Sequence, residues 1–71
     1  MHFDYSKLRG RIIEKFGSCD AFSNAAGWNP IKTSRILTNK HKMFTEDMEK
    51  FVDLLEIDAA DIKAYFFTRK V

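Results

Sequence analysis

The stretch Cys19-Asp20-Ala21-Phe22-Ser23-Asn24-Ala25-Ala26-Gly27-Trp28-Asn29-Pro30-Ile31-Lys32-Thr33-Ser34-Arg35-Ile36-Leu37-Thr38 decides the fold. Gly27 divides it into two helical halves, since a residue that tolerates positive φ makes a tight turn at low cost. Ser18 and Asn29 stand where N-caps belong, and Pro30 occupies the first helical position, where its missing N–H is not needed. Phe22, Ala26, Trp28 and Ile36 fall where the second helix needs apolar partners to pack across the first. Ser23 supplies a small side chain at the point of closest approach, and Thr33 a β-branched one at the core position of the second helix. The spacing predicts a helix-turn-helix over residues 19–38.

The pattern continues on both sides. A first helix is expected from an Asp4 N-cap to Phe16, with Leu8, Ile12 and Phe16 in one stripe and Gly17 as its left-handed stop. After a polar loop at Thr38-Asn39-Lys40-His41-Lys42, Thr45 is expected to cap a fourth helix, in which Met48, Phe51, Val52 and Leu55 follow the i, i+3, i+4, i+7 rule. Asp58 and Asp61 have capping-box spacing for a fifth helix, flanked by Ile57 and Ile62 as a hydrophobic staple. The tail, residues 67–71, is expected to fray, extend as an arm, or cover a core edge. The fold class read from this pattern is all-α, a five-helix bundle forming one domain over residues 1–71.

Composition narrows the function. A chain of 71 residues buries only about 60% of its unfolded surface, which leaves little room for a deep catalytic pocket. No serine has a visible activating base and no glycine loop cradles phosphate, so no enzyme is expected. Cys19 with His2 and His41 does not make the four-ligand set of structural zinc, and neither a metal nor a cofactor is expected. One cysteine, no apolar run of membrane-span length and a charged N-terminus fit a reducing, intracellular setting without membrane contact.

Charge is unevenly placed. Residues 1–42 carry eight Lys or Arg against three acids, whereas residues 43–62 carry seven acids against Lys50 alone. A basic half suits a polyanion; an acidic segment repels DNA and attracts a basic protein surface.

Three strings carry a family resemblance. Asp4-Tyr5-Ser6-Lys7-Leu8-Arg9-Gly10-Arg11-Ile12, Glu14-Lys15-Phe16-Gly17 and Tyr65-Phe66-Phe67-Thr68 resemble the small Cro-type helix-turn-helix switch proteins of Gram-positive temperate phages, above all the modulators of repression, or antirepressors, of lactococcal phages. The resemblance spans almost the whole chain. It implies a lambda-repressor-like DNA-binding domain, a role in the choice between lysis and lysogeny, a phage repressor as partner with operator DNA as a further one, and action in the bacterial cytoplasm without a small molecule.

At about 100° per residue, turning Thr33, Ile36 and Leu37 inward turns Ile31, Arg35 and Thr38 outward with Lys32 at the flank. The expected binding face is Asn29, Ile31, Lys32, Arg35, Thr38, Lys40 and Lys42. In a DNA-binding reading, Arg35 meets guanine or phosphate and the lysines neutralise phosphates. Three departures from DNA-reading relatives oppose it: Cys19 replaces the usual Gln, and Pro30 and Ile31 stand where polar readers are common. An exposed Ile beside an Arg suits a protein interface. Glu46, Asp47, Glu49 and Asp53 form an expected second contact, for the basic residues of a repressor. Repressor docking, Cro-like sequence-specific DNA binding, and a purely structural or antitoxin-like module all remain open on the residues alone.

Overall fold

In the computed structural model, which describes residues 3–69, five helices follow one another: α1 (Ser6–Phe16), α2 (Cys19–Ala26), α3 (Pro30–Leu37), α4 (Thr45–Leu55) and, after a 3-10 turn at Ala59–Asp61, α5 (Ile62–Phe66). The all-α five-helix bundle is as expected. Among the described residues the only β pairing is an isolated antiparallel bridge between Phe3 and Arg69.

Caps account for most of the boundaries. Gly17 and Gly27 end α1 and α2 in the left-handed region, at φ 85° and 77°. The Ser18 hydroxyl accepts from the Ala21 N–H, and the Asn29 side chain accepts from the Ile31 N–H with Pro30 at the start of α3. These satisfy donors that a helix cannot satisfy itself.

Three expected caps are corrected. Tyr5, which makes no side-chain cap bond, is the N-cap of α1; Asp4 stands one residue before it, and its carboxylate accepts the Ser6 N–H at 2.8 Å. Phe44, not Thr45, precedes α4, and Asp47 reaches back to accept the Phe44 N–H at 3.1 Å. That is the reciprocal half of a capping box alone, since a phenyl ring has no acceptor. Asp58 caps the 3-10 turn through the Ala60 N–H rather than starting α5 directly.

The core is aromatic. Phe22 and Phe51 stack with centroids 4.9 Å apart, and Trp28, Phe16 and Phe66 meet this pair edge-on. Leu8, Ile12, Ile36 and Leu55 are fully buried around it. α1 packs on α2, α4 and α5, while α2 packs on α3 and α4, so α2 is the central support that α3 leans on. The ends are tied as well. Arg11 donates to the Leu55 carbonyl at 3.0 Å, satisfying an orphan acceptor at the end of α4. Lys15 pairs with Glu56, which sits in the left-handed region at φ 52°.

Of the tail, Phe67 to Arg69 lie along the N-terminal segment, with the Asp4 N–H donating to the Thr68 carbonyl at 2.7 Å. All three are exposed, and the Phe67 ring meets Phe3 edge-on at 5.8 Å. Residues 70–71 and His2, part of the trio weighed for metal binding, lie outside the described residues. Among the described residues no group of three or more His, Cys, Asp or Glu could hold a metal, and no helix is long and apolar enough to cross a membrane.

Candidate functional site

The position of α3 is set by two buried hydroxyls. Ser23 Oγ donates to the Cys19 carbonyl at 2.7 Å and sits 2.6 Å from Thr33 Oγ1. With Ser23's proton committed to Cys19, the Thr33 hydroxyl donates to Ser23, so both polar groups are satisfied in a place without water. Both residues are fully buried, and the small Ser23 lets α2 and α3 approach closely. Trp28 lies half-buried against Phe22 and Phe51, and its N–H backbone closes the turn onto the Ser23 carbonyl at 2.8 Å.

This fixes which side of α3 faces out. Ile31 is 60% exposed, and Ser34, Arg35 and Thr38 are exposed on the same side. Asn29, at the N-terminal end, is exposed while capping the helix, and the Thr38 hydroxyl is turned back onto the Ser34 carbonyl at 2.9 Å. Thr33, Ile36 and Leu37 are buried.

Lys32 and Asp47 depart from expectation. Lys32 Nζ lies 2.9 Å from Asp47 Oδ1 and 4.6 Å from the centre of the Trp28 ring. Asp47, 5% exposed, is enclosed between this ammonium and the Phe44 N–H. Neither belongs to a free binding face: Lys32 is a tie from α3 to α4, and Asp47 is its buried anchor. The sequence offered no sign of this, because the two residues are 15 positions apart (47 − 32) and no local periodicity relates them.

Glu46, Glu49 and Asp53 are exposed and fall within about 60° of one another around α4. They form an acidic stripe with no ion pair among the described residues. Lys40 and Lys42 are exposed too, but they border a groove with Phe3, Met43, Met48, Phe66 and Phe67, which neither Ile31 nor Arg35 lines. Lys40 reaches that place because its N–H, with that of His41, folds back onto the Arg35 carbonyl, with Asn39 at φ 63° making the bend. Asn39 was overlooked in the sequence, although an Asn directly after a helix is a known left-handed stop. Its side chain accepts from the Phe3 N–H at 3.1 Å and donates to the Phe3 carbonyl at 2.8 Å.

A family model described as "Protein of unknown function (DUF739)" matches residues 1–69. The chain belongs to the DUF739 family. Among solved structures, this DUF739 chain is similar to the solution structure of the modulator of repression (MOR) of the temperate bacteriophage TP901-1 from Lactococcus lactis. The TM-score is 0.82 at 38% identity, over 100% of this chain and 96% of that chain. The resemblance to a modulator of repression read from the strings at residues 4–12, 14–17 and 65–68 thus holds for this DUF739 member. No curated protein matches it. Neither the family description nor the structural neighbour's name denotes an enzyme.

Proposed function

We propose that this protein is a switch regulator of a temperate phage that binds the phage repressor and hinders its access to operator DNA. The likeness to a protein named as a modulator of repression supports the regulatory role. The mode of action rests on one observation: α3 projects a 60% exposed Ile31 beside Arg35, while Lys32 is drawn away to Asp47. A DNA-reading helix relies on several cations to displace counterions from phosphates, and this one retains a single cation on its outer face. An apolar side chain held out in water gains about 1.5–3 kcal/mol on full burial, and an adjacent Arg gives the contact direction.

In this reading residues 19–38 serve as a helix-turn-helix scaffold within a Cro-like, lambda-repressor-like domain, and Asn29, Ile31, Arg35 and Thr38 form its docking face. The acidic stripe of Glu46, Glu49 and Asp53 supplies a second contact for the Lys and Arg with which a repressor meets phosphate. The protein then acts in the host cytoplasm, without cofactor or small molecule.

Direct operator binding is the second reading, and one observation favours it: Arg35 is exposed with no acidic partner among the described residues, free for guanine. Mixing the purified protein with a candidate phage repressor and with its operator DNA separates the two. A heterocomplex by size and calorimetry, weakened about tenfold by Ile31→Ser and less steeply dependent on salt than phosphate binding, supports docking. Absence of a heterocomplex together with tight operator binding and a steep salt dependence establishes the DNA reading instead.

A further inference from the structure

We propose that the groove between the N-terminal segment, the α3–α4 loop and the C-terminal segment binds an acidic amphipathic segment of a partner protein, at a surface separate from the outer face of α3. The groove encloses about 390 Å³ over a floor of Phe3, Met43, Met48, Phe66 and Phe67. Phe67 is 46% exposed there, and Phe44, next in the chain to Met43, is 56% exposed. A groove floored by apolar side chains and left open to water marks an interaction site. Methionines suit such a site because an unbranched thioether adapts to the shape of what it meets.

Charge determines the occupant. Lys40, His41 and Lys42 stand on the rim, and no Asp or Glu among the described residues lines the groove. Lys15 and Lys32 are committed to Glu56 and Asp47, but Lys40 and Lys42 form no ion pair among the described residues. A nucleic acid satisfies the two ammonium groups and leaves the apolar floor uncovered. A neutral apolar peptide fills the floor and strands the lysines. A segment with long aliphatic or aromatic side chains on one face and carboxylates beside them satisfies both.

The groove is also built in advance. The two hydrogen bonds between Asn39 and Phe3, the Phe3–Arg69 bridge, and the T-shaped contact of Phe3 with Phe67 at 5.8 Å hold its walls without a ligand. A preformed wall removes part of the ordering cost of binding.

The test is an NMR titration of the isotope-labelled chain with a synthetic peptide carrying Leu at i, i+3, i+4 and i+7 and Glu elsewhere. The same peptide with Lys in place of Glu, one with Ser in place of Leu, and a DNA duplex serve as comparisons. The expected result is saturable shifts at Met43, Met48 and Phe67 with the acidic amphipathic peptide alone, weakened about tenfold by Lys40→Glu combined with Lys42→Glu. Both lysines are exposed, so the variant keeps its fold, which its own amide spectrum verifies. Equal shifts with the basic peptide, the Ser peptide or the duplex overturn the proposal. So do shifts centred on Ile31 and Arg35, or concentration-dependent shifts at the groove that reveal a second copy of this chain as its occupant. Repressor docking through α3 is read from Ile31→Ser, so the two ideas fail separately.

Discussion

Replacing Lys32 by Ala is expected to unfold the protein more easily without weakening a partner complex, the opposite of what its place on the outer flank of α3 suggests. The change leaves the Asp47 carboxylate enclosed with only the Phe44 N–H, 3.1 Å away. Removing one partner of a fully buried ion pair costs about 3–5 kcal/mol, and an exposed pair is worth up to about 1 kcal/mol. Asp47 is enclosed, but the Lys32 side chain is 34% exposed, so water screens the pair and the cost falls between, at about 2 kcal/mol. Losing the ammonium over Trp28 adds about 0.5 kcal/mol. For a domain of this size the sum lowers Tm by roughly 10–20 °C. Urea melts of Lys32→Ala, Asp47→Ala and the double variant, compared at constant m, isolate the pair from the N-cap bond that Asp47 also makes. A coupling of about 1–2 kcal/mol is expected. A coupling below about 0.3 kcal/mol, or an unchanged Tm accompanied by lost partner binding, refutes the placement of Lys32 as an internal tie.

Ser23→Ala removes the acceptor of an enclosed Thr33 hydroxyl and is expected to cost about 1–3 kcal/mol, whereas Thr33→Val leaves Ser23 bonded to Cys19 and costs about 1 kcal/mol; equal losses in denaturant melts contradict the donor order inferred at the α2–α3 contact. Gly10→Ala, inside α1 with open space around it, is expected to stabilise by about 0.5–1 kcal/mol, while Gly27→Ala, at φ 77° and equally open, is destabilised by about 1 kcal/mol; thermal melts of the two variants should move in opposite directions. The Lys15 ammonium, by hydrogen bond and charge, holds the Glu56 carboxyl below its ordinary value. Its contribution to stability is therefore complete above the ordinary carboxylate value and disappears as pH falls through the lowered one. NMR titration should find Glu56 below the ordinary value of a glutamate side chain, and Lys15→Met or high salt should return it toward that value.

Most of the fold was legible along the chain because helix boundaries are local chemistry. Gly17 and Gly27 stop helices through their own backbone freedom, Ser18 and Asn29 cap through atoms two or three residues away, and the apolar spacing of Leu8, Ile12, Phe51 and Leu55 reports which face is buried. The expected caps at Asp4 and Thr45 were displaced by one residue for the same local reason. An Asp side chain reaches the Ser6 N–H as well from outside the cap position, and Asp47 satisfies the Phe44 N–H from inside the helix.

The candidate surfaces were legible only in part. Exposure of Ile31 and Arg35 follows from helical periodicity once Thr33 and Ile36 are placed inward. The fate of Lys32 and Asp47, and the meeting of Phe3, Asn39, Met43 and Phe67 around one groove, depend on where α3 and α4 and the two chain ends come to rest against each other. Periodicity assigns a residue to a side of its own helix; whether a charge on that side meets water, a counter-charge or an aromatic ring is decided by the neighbouring elements, whose distance and orientation are set by the packing of the shared core.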